Sequence, residues 1–126
     1  MTIEKWPRST QEVFYADDTP ARCDWPCQVR MGDGLIEVIY DEGDGSVVHY
    51  SGTENGPGHF ALEAPERSGR ATLHLFHGGK FLDGYWCEER SHGMWRITLR
   101  RDRATKEQAT SAASIRQSRT FKRGAG

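Results

Sequence analysis

Residues 71–100 read ATLHLFHGGKFLDGYWCEERSHGMWRITLR. Large apolar residues recur there at alternate positions, in Leu73 and Leu75, then Leu82 and Trp86, then Trp95, Ile97 and Leu99. A period of two sends successive side chains to opposite faces of an extended chain, whereas an amphipathic helix repeats every three to four residues. The interruptions HGGK and ERSHG carry residues that suit tight turns. The stretch therefore predicts three strands, 71–76, 81–88 and 94–100, joined as consecutive hairpins.

The same pattern extends towards the N-terminus. Strands are expected at 35–40, 47–51 and 59–62, separated by DEGDGS and TENGPG, which supply glycine where positive φ is needed. The longer APERSGR links the fourth strand to the third. Register follows from keeping large residues on one face, because a slip of one residue would send them all to the other. Ala71, Leu73 and Leu75 pair with Trp86, Gly84 and Leu82, and those with Trp95, Ile97 and Leu99. Ile36, Val38 and Tyr40 lie beside Val48 and Tyr50, then Phe60 and Leu62. Gly84, flanked by Leu73 and Ile97, leaves room for the indole of Trp86 or Trp95 to lie across it.

A sheet with one apolar face cannot stand open in water. It must curl on itself, gain a covering segment or pair with a second copy, so a homodimer is one solution. The fold class is all-β, an antiparallel meander of six or more strands curled into a small barrel or half-barrel between flexible terminal segments. Residues 35–101 form that domain. Residues 1–34 are expected to be partly ordered, offering Trp6, Phe14, Tyr15 and Trp25 as cover and one added strand near Val13–Tyr15. Residues 102–126 read as a basic, mostly disordered tail with at most a marginal helix.

Composition agrees with one loop-rich domain: 126 residues, 36% hydrophobic and 28% charged, with 14 Gly and 5 Pro. No run approaches the roughly 20 apolar residues of a membrane helix. The opening MTIEKWPRSTQEVFY has no apolar run behind a basic start, so the cytoplasm is the expected compartment. Cys23, Cys27 and Cys87 are too few for a disulfide scaffold and read as reduced thiols. The net charge of −1 hides an asymmetry: nine basic residues against two acidic from Arg96 onward give +7, leaving −8 on residues 1–95. A basic tail can contact nucleic acid, but residues for base stacking are nearly absent from it, which favours solubility or self-association.

Chemistry is sparse. The expected register sets Glu37, Ser51, His59, His74, Asp83 and Thr98 in one lateral row on the outer face, with Ile39, His49, Ala61, Thr72, Tyr85 and Arg96 in the next. Strands lie about 4.8 Å apart, so His59, His74 and Asp83 are a candidate metal triad. They are equally a candidate proton shuttle, with Asp83 orienting His74 and Tyr85 or Arg96 polarising a substrate oxygen. The commoner arrangement is a solvated face of ordinary cross-strand pairs, so neither a metal nor another cofactor is expected. His74 and His77 point to opposite faces of a strand, Cys87 lacks a basic neighbour in local sequence, and DEGDG lacks the distal Glu of a calcium loop. Phosphate loops, dinucleotide fingerprints and serine-nucleophile elbows are missing from the sequence.

The closing run GYWCEERSHGMWRITL, with its steps Gly84-Tyr85-Trp86 and Gly93-Met94-Trp95, resembles the small up-and-down barrels of the lipocalin and avidin type, the calycins. The resemblance covers residues 35–100. It implies that Tyr40, Tyr50, Trp86 and Trp95, on the concave face, either fill the interior or line a small pocket; filling is the commoner state of small barrels. The leading expectation is a non-catalytic binding module for a hydrophobic small molecule or a protein partner. A His/His/Asp metal protein or enzyme comes second, and nucleic-acid contact through the tail third.

Overall fold

The computed structural model describes residues 2–101. It contains eight strands: β1 (Glu4–Tyr15), β2 (Arg22–Gly32), β3 (Leu35–Asp41), β4 (Val47–Glu54), β5 (His59–Ala64), β6 (Gly69–Leu75), β7 (Phe81–Glu88) and β8 (Ser91–Thr98). A single 3-10 turn, Pro65–Arg67, lies between β5 and β6. Each strand pairs antiparallel with the next, and β1 pairs with β8, closing the barrel. Among the described residues no helix is long and apolar enough to cross a membrane. The expectation for residues 102–126 falls outside the described residues.

Alternation carries over into burial. In β5 the side chains of Phe60, Leu62 and Ala64 are buried while His59, Ala61 and Glu63 face solvent. Val29, Val38, Leu73, Leu82 and Ile97 are fully enclosed, and Val13, Val48, Tyr50, Trp86 and Trp95 belong to the same cluster.

Two registers differ from the expected ones. Ser51 pairs with Glu63 rather than His59, because β4 runs on to Glu54, which pairs with Phe60. The connection is thereby shortened, and its turn is fixed by hydrogen bonds from Asn55 N–H to His59 O (2.7 Å) and from Gly58 N–H to Glu54 Oε2 (2.8 Å). In the last hairpin Trp86, Gly84 and Leu82 face Gly93, Trp95 and Ile97, and Asp83 faces Arg96 rather than Thr98. The reason is similar: β8 begins at Ser91, leaving only Glu89 and Arg90 as the turn. Both displacements are even, four and two residues, so every side chain keeps its face.

The N-terminal segment supplies two strands, where one was expected. Pro7 falls in the register shift of β1 between Trp6 and Ser9, a bulge that breaks the alternation. Pro26 pairs with Thr10, but the β2–β3 ladder starts only at Gln28, so its missing N–H leaves no gap on that side. Asp33 and Gly34, both at positive φ (61° and 79°), turn β2 into β3 as a two-residue hairpin.

At Gly84 a Cβ would overlap the Thr72 carbonyl and press on Leu73 Cα. The absence of a side chain lets the Trp95 indole reach from β8 across β7 to β6, where its Nε1–H donates to Thr72 O at 3.1 Å. The expected room at this glycine is thus occupied by Trp95. The other indole, Trp86, donates to Met94 O at 3.2 Å.

Candidate functional site

Each odd-numbered connection of the meander, β1–β2, β3–β4, β5–β6 and β7–β8, lies at the same end of the barrel. Below that end is an open cavity of about 200 Å³. All four aromatic residues expected from parity, Tyr40, Tyr50, Trp86 and Trp95, line it, together with Val13, Tyr15 and Ser91. The interior is therefore filled at depth and hollow beneath this mouth. Tyr15 meets Trp86 edge to face at 5.4 Å between ring centres, and Tyr50 is tilted against Trp95 at the same separation. These two pairs wall the cavity. Because both indole N–H groups are engaged by main-chain carbonyls, the tryptophans offer the cavity carbon surface and no donor.

Four charged residues also line it: Arg22, Glu42, Arg67 and Glu88. Arg22 Nη1 is 3.1 Å from Glu42 Oε1, and Arg67 Nη2 is 2.9 Å from Glu42 Oε2. Arg67 Nε is 3.1 Å from Glu88 Oε2 but is not aligned for a hydrogen bond, so this contact is an ion pair. Glu88 Oε2 accepts from the Tyr50 hydroxyl at 2.6 Å. A chain of alternating charge thus runs Arg22, Glu42, Arg67, Glu88 and ends on the neutral Tyr50 hydroxyl. Arg67 is held by the turn at Pro65–Arg67, which ends at Ser68 in the left-handed region (φ 52°) with Ser68 N–H donating to Pro65 O. Gly69 follows because a Cβ there would stand 2.5 Å from the Tyr50 hydroxyl.

Burial, and then the hydrogen bond to Glu88, push the Tyr50 phenol well above its ordinary value. Burial, with the neighbouring charges of Glu42 and Glu88, does the same to Tyr40. Burial works against the charge of Arg67, but Glu88 and Glu42 outweigh it and raise its pKa. Both phenols are neutral at physiological pH, and the two guanidinium groups balance the two carboxylates.

No family model matches this chain, and neither a curated protein nor a solved structure gives a significant match.

The outer polar row forms only in part. His59 pairs with His74 and His74 with Asp83, as expected, and the two imidazoles stand edge to face at 4.7 Å. The Asp83 carboxylate, however, turns to Arg96 (2.7 and 3.4 Å), and His74 Nδ1 donates instead to the Asp83 main-chain oxygen at 3.2 Å. Among the described residues no three His, Cys, Asp or Glu side chains are placed to hold a metal; His59, His74 and Asp83 form a cross-strand row rather than the candidate triad. Tyr85 pairs with Met94 rather than with Arg96, and is half exposed. Arg96 is engaged by Asp83 and packs over Phe81 at 5.0 Å. These five residues form a solvated face.

Parity found the aromatic walls and missed the charged rim. Arg22, Glu42, Arg67 and Glu88 stand at strand ends or in connections, where period-two patterning assigns no face. Their one sequence signal is that each flanks or lies in a connection at the same end of an up-and-down order.

Proposed function

We propose that the protein is a non-catalytic binding module whose cavity holds a small hydrophobic molecule against Tyr50, Trp86 and Trp95. One observation carries this reading: five aromatic side chains contributed by five strands converge on a single open cavity of about 200 Å³. Concave, mostly apolar sites with a few placed polar groups are the usual form of small-molecule sites. On this reading the barrel resembles the calycin type in its mode of binding, an apolar interior entered from one end.

Titration with 2-methylnaphthalene, followed by tryptophan fluorescence, tests it. Saturable binding is expected. Trp86→Ala should weaken it about tenfold or more, since removing most of a buried aromatic wall forfeits on the order of 2 kcal/mol. Unchanged affinity in a Trp86→Ala protein with native near-UV circular dichroism would remove the cavity from consideration.

A further inference from the structure

From the rim of this cavity we infer the class of ligand, resting on the binding function proposed above: a neutral, flat, fused two-ring molecule bearing one hydroxyl or carbonyl, with the Tyr40 hydroxyl as its polar partner. Size comes first. The cavity of about 200 Å³ lies below the range of about 300–1,000 Å³ usual for drug-sized ligands, so it suits a small guest such as a fused bicycle. Shape comes next. The pairs Tyr15–Trp86 and Tyr50–Trp95 present ring faces and edges, which favour a flat aromatic guest stacked or met edge-on.

Charge is decided by the rim. Arg22 and Arg67 both contact Glu42, and Arg67 also contacts Glu88. An anionic guest reaching either guanidinium must share it with a carboxylate already in place, and a cationic guest reaching either carboxylate meets the arginines. Either charge would be desolvated beside a like charge. A neutral guest leaves the network intact. Three cavity hydroxyls, those of Tyr15, Tyr40 and Ser91, take no part in the chain of bonds from Arg22 to Tyr50. The polar contact is assigned to the one desolvated by burial close to Glu42, Glu88 and Tyr50, that of Tyr40. Its raised pKa keeps it a neutral hydroxyl, able both to donate and to accept.

Four probes sharing one ring system separate these claims at pH 7: 2-naphthol, 2-methylnaphthalene, 2-naphthoate and 2-naphthylmethylammonium. The expected order places 2-naphthol first, several-fold tighter than 2-methylnaphthalene, with both charged probes at least tenfold weaker than 2-methylnaphthalene. Tyr40→Phe should erase the advantage of 2-naphthol, bringing the ratio of its affinity to that of 2-methylnaphthalene to about one. Glu42→Gln, which leaves the rim with a net positive charge, should raise the affinity of 2-naphthoate relative to 2-methylnaphthalene at least tenfold. Binding of either charged probe to the native protein as tightly as 2-naphthol overturns the neutral class while leaving the cavity function standing. An advantage of 2-naphthol that survives Tyr40→Phe removes Tyr40 as the partner. Failure of all four probes overturns the binding function itself, and this inference with it.

Discussion

Gln11 stands inside the barrel at 1% exposure, and neither its amide nitrogen nor its amide oxygen meets a hydrogen-bond partner among the described residues. A buried polar group left unpaired costs about 1–3 kcal/mol, so Gln11→Met, close in volume, should stabilise the protein by about that amount. The urea midpoint checks this, and a fall in midpoint would show that the amide is engaged. Cys27 presents a related case with a pH signature. Burial pushes its thiol from 9.0 up to about 12, and the Tyr40 and Tyr50 phenols are raised too. Each is an acid that keeps its proton longer in the folded state than in the unfolded one. Between about pH 9 and 12 the folded protein therefore binds more protons, and stability must fall as pH rises across that window. Urea midpoints at pH 8 and pH 11 should differ by a few kcal/mol equivalent. A Cys27→Ala variant should flatten the lower part of that fall, and an unchanged slope would acquit the thiol.

At the level of strands, Gly84 shows how one position ties three of them together. The overlap of any added Cβ with the Thr72 carbonyl means that Gly84→Ala forces β6 and β7 apart just where Trp95 hydrogen-bonds to that carbonyl. Overpacking of this kind costs about 1–3 kcal/mol, visible as a lowered melting temperature; wild-type stability would show that the strands yield freely. Strands β3 to β8 were legible in sequence because their apolar residues alternate without interruption and glycine-rich turns divide them. Strands β1 and β2 were obscured by Pro7 and Pro26, which read against a strand, and by the bulges at Trp6/Ser9 and Gln11/Val13, each of which shifts the period by a residue. The available signal was Asp33-Gly34, a strong two-residue hairpin pair lying directly before Leu35. Register was readable to parity but not to position, since apolar matching cannot distinguish displacements by two or four; only the turns at Asn55–Gly58 and Glu89–Arg90 do so.

Across the molecule, closure converts these local patterns into a site. Parity alone carries Tyr40, Tyr50, Trp86 and Trp95 to the inside, and the up-and-down order brings their upper ends to one mouth. The charged rim depends on which connections share an end, a property of topology that no single stretch of sequence contains. The outer histidines fail for the complementary reason: adjacency was predicted correctly for His59, His74 and Asp83, but adjacency does not fix where a carboxylate points once Arg96 is its nearer neighbour.

The seam between β1 and β8 has a temporal meaning as well. Val13 pairs with Trp95, so a chain emerging from the ribosome at roughly 5–20 residues per second keeps one side of β1 without its partner for about 4–16 s. Translational arrest anywhere before Ser91 would leave that edge open to another nascent copy.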